Sequence, residues 1–284
     1  MSFTDRAQAL QKRATDLLCG RPIVFHHVPK CGGTSVGRSL RRAYLLSQGT
    51  VTPVESEKAF DAAQRPCAPG GIGHVSELRE MMLLYMLYSD VRCVSAHIPF
   101  SNAAFERFGD RYAFVTILRD PVERFISNYY WSHDRPDAHF RIAEPLEEFL
   151  STERARAIGS TYARYFCGEP GHSFGPSHVD SAIRNLRRMS FVGFLDQLDG
   201  FEAALHRLTG RRIKIGKENV RGTGSRRDSI LSGPLRERIL EVCAADRKIW
   251  NAVQDLRARR SAPASDRSPE RPVTLQTEAA SGPT

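Results

Sequence analysis

Twice along this chain a short apolar run stops at a polar loop and a helical pattern begins at once, an order that suits a sheet flanked by helices. In the first case PIVFHH (22–27) meets the glycine turn PKCGGTS (29–35), after which Val36, Leu40 and Tyr44 recur at helical spacing with arginines on the other face. In the second, AFVTIL (113–118) is apolar without alternation, as a strand covered on both faces of a parallel sheet should be. It runs into RDPVERFISNYYW (119–131), where Asp120 can cap a helix, Pro121 suits its first position and Glu123 follows three residues after the cap.

The rest of the chain keeps the alternation. VRCVSAH (91–97) and FVGF (191–194) read as further strands; SELREMMLLYMLY (76–88), PLEEFLSTERARA (145–157), HVDSAIRNLRRM (178–189) and DQLDGFEAALHRLTG (196–210) read as helices. Residues 49–73, with three prolines, read as an irregular excursion. From 232 onward Leu235, Ile239, Val242, Ile249, Val253 and Leu256 predict one terminal helix. The chain therefore divides into a helical extension over 1–20 (with Leu10, Leu17 and Leu18 on one face), a single α/β domain over 21–260, and a disordered tail over 261–284.

Lys and Arg number 41 against 32 Asp and Glu, a formal net charge of +9 that favours a phosphorylated or polyanionic ligand. The tail is slightly acidic, so the basic excess belongs to the folded part. No zinc-finger spacing or aromatic RNA-binding signature accompanies it, which argues against nucleic acid. The six cysteines are scattered without metal-ligand spacing, so no metal and reduced thiols are expected. MSFTDRAQALQKRATDLL lacks the apolar run of a signal peptide, and the longest apolar stretch, 81–88, is far short of the ~20 residues of a membrane span, expected instead to be a buried helix. A cytoplasmic protein is the expectation.

The glycine turn has the makings of an anion site: backbone N–H groups at a helix start, Lys30 for charge, and the hydroxyls of Thr34 and Ser35. It is not a Walker A sequence, in which lysine follows the glycines; here Lys30 precedes them.

At this point FHHVPKCGGTS resembles the 5′-phosphosulfate loop of the carbohydrate sulfotransferases related to heparan sulfate 2-O-sulfotransferase, of the bacterial family 2 type. LRDPVERFISNYY is similar to that family's 3′-phosphate segment, and STYARYFCG, FVGFLDQLDGFEAALHRLTG and the DRKIW helix look like its later segments. The likeness spans roughly residues 20–257, while 50–75 and 132–145 align with no acceptor-binding element. The resemblance implies an α/β, P-loop-NTPase-like three-layer fold with a central, mainly parallel sheet. It also implies transfer of a sulfuryl group from 3′-phosphoadenylyl sulfate (PAPS) to a hydroxyl acceptor, a saccharide or glycolipid, leaving 3′-phosphoadenosine 5′-phosphate (PAP).

On that resemblance Lys30, Cys31, Gly32, Gly33, Thr34 and Ser35 hold the 5′-phosphosulfate, with Lys30 also catalytic and the Cys31 thiol a small filler. Arg119 and Ser127 hold the 3′-phosphate; a guanidinium can bind two oxygens of a dianion at once. His97, at the end of a strand and 22 residues before Arg119, is the expected general base, close to the family's spacing. Arg221, Gly222 and Ser225, in ENVRGTGSRR (218–227), are expected to close over the nucleotide. His27 reads as a structural neighbour of the loop, and Trp131 as a packing residue. The blander reading of Arg119 is a salt bridge to Glu123 at a helix start. Two rival functions are an atypical kinase, disfavoured by the position of Lys30 and by the lack of an acidic magnesium motif, and a non-catalytic nucleotide-binding scaffold.

Overall fold

The apolar runs pair as expected in the computed structural model, which describes residues 20–63, 74–134, 141–169, 174–216 and 233–261, with side chains to Asp255. Among the described residues the strands are β1 (Ile23–His26), β2 (Gln48–Val51), β3 (Cys93–Ala96), β4 (Ala113–Leu118) and β5 (Phe191–Phe194). They form one all-parallel sheet in the order β2-β3-β1-β4-β5. Helices flank it, giving the P-loop-NTPase-like α/β fold. In chain order they are α1 (Gly33–Ala43), α2 (Pro53–Ala63), α3 (Val75–Tyr88), α4 (Asn102–Phe108), α5 (Pro121–His133) and α6 (Leu146–Phe149). Then follow α7 (Glu153–Gly159), α8 (Thr161–Phe166), α9 (Pro176–Arg188), α10 (Leu198–Thr209), α11 (Leu235–Val242) and α12 (Ala244–Ser261).

The central strands β1, β3 and β4 are buried along their whole length, as covering on both faces requires. Val36, Leu40 and Tyr44, the periodic residues after the glycine turn, are all fully buried and seat α1 on the sheet. A second apolar cluster, around Phe125, Ile126, Tyr129, Phe149 and Ile239, fixes α5 from its far side. The start of α5 is capped as its sequence suggests: the Asp120 carboxylate accepts from the N–H groups of Val122 and Glu123, each at 3.0 Å, with Pro121 at the first position.

Four expectations need correction. The excursion over 49–73 contains β2 and α2; β2 is an edge strand with little apolar content, and Pro53 sits in the first turn of a helix, where proline is tolerated. Helix α3 is capped by His74, whose ring accepts from Ser76 N–H, rather than opened by Ser76. It is also only part buried, since Met81, Tyr85 and Tyr88 are 47%, 74% and 64% exposed. The terminal helix is two helices, α11 and α12, broken at the buried Cys243. The break sets the first turn of α12, with Asp246, against α8. The extension over 1–20 lies outside the described residues up to 19, as does the tail from 262.

Candidate functional site

In an open parallel sheet a ligand binds beyond the carboxyl ends of the strands where neighbouring connections diverge. Here that point lies between β1, whose connection leads toward β2, and β4, whose connection leads toward β5. The two polar loops singled out in the sequence leave these two strands at matched positions, His26 pairing with Thr116.

The first loop is built tightly. Lys30 (φ 66°) and Gly32 (φ 75°) both take left-handed backbone conformations. For Lys30, which carries a Cβ, this costs about 1–2 kcal/mol, a strain of the kind that concentrates at functional sites. Gly32 is held by packing as well as φ, since a Cβ there would lie 2.5 Å from Leu195 Cδ1. At Gly33 a Cβ would come within 2.0 Å of His27 Cδ2 and 2.3 Å of Nε2, so the His27 ring occupies that space. Helix α1 begins there with no side chain capping it and no acidic residue in its first turn, which leaves its positive end facing the loop. Thr34 is exposed and Ser35 half-buried beside it.

Cys31 points inward. Its thiol is fully buried, 3.5 Å from the Tyr162 hydroxyl, and burial pushes its pKa up, so only its backbone can serve a ligand. The same Tyr162 hydroxyl accepts from Arg119 N–H at 2.9 Å and donates to the Arg119 carbonyl. The Arg119 side chain, 24% exposed, is paired with Glu123 at 3.3 Å. That ion pair is the blander sequence reading of Arg119. Lys30 Nζ lies 5.0 Å from the Trp131 ring centre, over the face of the ring. Trp131 stands one turn beyond half-buried Ser127 on α5, so Lys30 meets the helix that carries Ser127 and Arg119 meets its start.

His97 leaves β3, on the other side of β1, and its ring is 3.7 Å from that of His27, centre to centre. Its Nδ1 is buried without a hydrogen-bond partner. Burial, then the positive charge of Arg79, lowers its pKa to about 4, so it is neutral near pH 7 and able to accept a proton. His27 is driven lower, to about 2, by burial, by His97 and by Arg41. His27 thus stands between His97 and the glycine loop, a closer role than its sequence reading gave it. Period-two alternation along β1 separates His26 from His27 and was the available signal. Tyr162 and Trp131 had no comparable signal in spacing.

Arg221, Gly222 and Ser225 lie outside the described residues. Among the described residues no group of three or more His, Cys, Asp or Glu side chains could hold a metal, and no helix is long and apolar enough to cross a membrane. A cleft of about 590 Å³, lined by Gly20, Ala43, Thr209, Gly210, Arg211 and Arg212, opens beside the entry to β1, away from both loops. It is not part of this site.

No family model matches the chain, and no curated protein does. Among solved structures it is similar to a mouse sulfotransferase, SULT7A1, crystallised with PAP: 14% identity, 82% of this chain and 67% of that one, TM-score 0.37. It is likewise similar to a sulfotransferase from Alicyclobacillus acidocaldarius: 16% identity, 81% of this chain and 99% of that one, TM-score 0.38. At this level of likeness neither neighbour assigns a function to the chain.

Proposed function

We propose that this protein is a sulfotransferase that moves a sulfuryl group from PAPS to an acceptor hydroxyl, with a saccharide or glycolipid as the acceptor class. The observation that carries the reading is the convergence of two motifs, far apart in sequence, on β1 and β4 at one carboxyl edge, where the Tyr162 hydroxyl touches both. The chemistry of the donor set fits a doubly phosphorylated nucleotide. An uncapped helix start, Lys30 and the hydroxyls of Thr34 and Ser35 suit one anionic group, and Arg119 with Ser127 suits a second.

In the transfer, the acceptor oxygen forms a bond to sulfur as the bond from sulfur to the bridging oxygen breaks, and PAP departs with that electron pair. The acceptor proton passes to a ring nitrogen of neutral His97. Lys30 and the amides at the start of α1 offset the charge that grows on the leaving phosphate. Lys30 would leave the Trp131 face to do so. Positioning and charge stabilisation then supply most of the rate, as in phosphoryl transfer.

The test is calorimetric titration of the protein with PAP, ATP and adenosine 5′-phosphate, for wild type and Arg119→Ala. We expect PAP to be preferred, and the preference to fall about 10- to 100-fold in Arg119→Ala, the worth of a charged hydrogen-bonded pair. Equal binding of the three nucleotides would overturn the reading in favour of the kinase or scaffold alternatives.

A further inference from the structure

The two segments proposed to bind phosphate are joined underneath by a network whose side chains Cys31, Tyr162, Arg124 and Asp246 are buried. Its centre is Tyr162, fully buried on α8. The hydroxyl accepts from Arg119 N–H and donates to the carbonyl of the same residue, so both polar backbone groups of Arg119 are bound by one side chain. The Cys31 thiol, in the glycine loop, lies 3.5 Å from that hydroxyl.

The other end of Tyr162 is held as firmly. Its N–H donates to both carboxylate oxygens of Asp246, each at 2.9 Å, and Ala163 N–H donates to Oδ1 at 3.1 Å. Asp246 pairs with Arg124 at 3.4 Å, both side chains fully buried. The Arg124 guanidinium lies 5.4 Å from the centre of the Tyr162 ring and donates to the carbonyl of Ile158. Arg124 belongs to α5, the helix of Ser127, and Asp246 to α12. A single residue therefore links the glycine loop, the end of β4 and, through Asp246, the helix that follows β4.

We infer that Tyr162 is a positioning residue for the donor site, its hydroxyl setting the spacing between the glycine loop and Arg119 so that both ends of a bisphosphate nucleotide are met together. The inference rests on the sulfotransferase reading above. Arg119 is the residue through which Tyr162 acts, because the hydroxyl grips the Arg119 backbone and so aims its guanidinium. Removing the hydroxyl also leaves a buried N–H and carbonyl without their partner, which the local backbone relieves by shifting.

The decisive measurement is a double-mutant cycle read by PAP titration. Tyr162→Phe keeps the ring and removes only the hydroxyl; we expect PAP affinity to fall about tenfold, with adenosine 5′-phosphate affected less. In an Arg119→Ala background the same substitution should change PAP affinity less than about threefold, since the residue it aims is gone. A purely structural role would lower thermal stability equally in both backgrounds and leave PAP affinity of the folded protein unchanged. Asp246→Asn gives an independent arm: it weakens the hold on the Tyr162 backbone while keeping the side-chain shape, and should show the same dependence on Arg119. Folded Tyr162→Phe that binds PAP like wild type, or full additivity with Arg119→Ala, overturns the inference while leaving the donor site standing. A wild type that does not prefer PAP overturns the donor site itself.

Discussion

His26 offers the cleanest link between one side chain and a measurable property. It is fully buried at the end of β1, stacked between Phe100 and Phe114 at ring-centre distances of 5.7 and 5.9 Å, with Phe166 edge-on at 6.4 Å. Neither ring nitrogen has a hydrogen-bond partner. Burial lowers its pKa from 6.5 to about 4, the backbone of Ile98 acting weakly the other way. A native pKa below the unfolded one means that the unfolded chain binds a proton the native chain refuses, so stability is lost as pH falls from 6.5 toward about 4. Between about pH 7.5 and pH 4.5 that loss is about 2.5 kcal/mol for this residue alone. Set against a typical total of about 5–15 kcal/mol, it is large. His26→Leu removes the titration at nearly constant volume and gives up only the polar contact with the Ile98 backbone. The assay is urea unfolding of both proteins across this range. Titrations of His27, His97 and Asp246 are common to the two and cancel in the difference. The stability of His26→Leu relative to wild type should improve by about 2.5 kcal/mol toward the acid end. Two stability curves that stay parallel within about 0.5 kcal/mol over this range would refute the argument, because a histidine that titrates alike in both states cannot produce a gap.

Two further outcomes follow from the site and its support. His97→Asn should lower sulfuryl-transfer kcat about 10²- to 10⁴-fold while PAP affinity stays within about threefold, measured by turnover and titration on the same protein. Because burial holds His97 near 4, wild-type kcat/KM should show no inflection between about pH 6 and 8, and a clear inflection near 6.5 would contradict its buried setting. Asp246→Ala strands the Arg124 guanidinium in the core and should cost about 3–5 kcal/mol in denaturant unfolding. Adding Arg124→Met should recover part of that loss, but not the part due to the uncapped Tyr162 and Ala163 amides.

The features legible in the sequence are those written in local chemistry. The apolar run 113–118 and the Asp120-Pro121 cap specify a buried strand and a helix start within a dozen residues, because burial on both faces and an orphan N–H at a helix end each demand particular residue types. The glycine turn is legible for the same reason, although its glycines answer first to Leu195 and His27 rather than to a ligand. Strand β2 and the α11–α12 break were not legible: an edge strand buries too little to need an apolar pattern, and Val242 and Ile249 keep helical spacing straight through the break at Cys243.

What periodicity could not supply is the linkage among distant segments. Lys30 and Arg119 stand 89 positions apart, and nothing in either motif says what sets the distance between them. The answer sits in Tyr162 and Asp246, which belong to helices of ordinary composition and are identified only by the bonds they make. Burial of such groups is costly unless they are matched, and here the bonds run from the glycine loop through Arg119 to Asp246 and Arg124, leaving Nε and Nη1 of Arg124 without a hydrogen bond. A network of that kind holds one arrangement and resists small adjustments. Under the proposed function, which has the site grip two phosphates at a set separation, such rigidity serves more than any additional contact with the nucleotide.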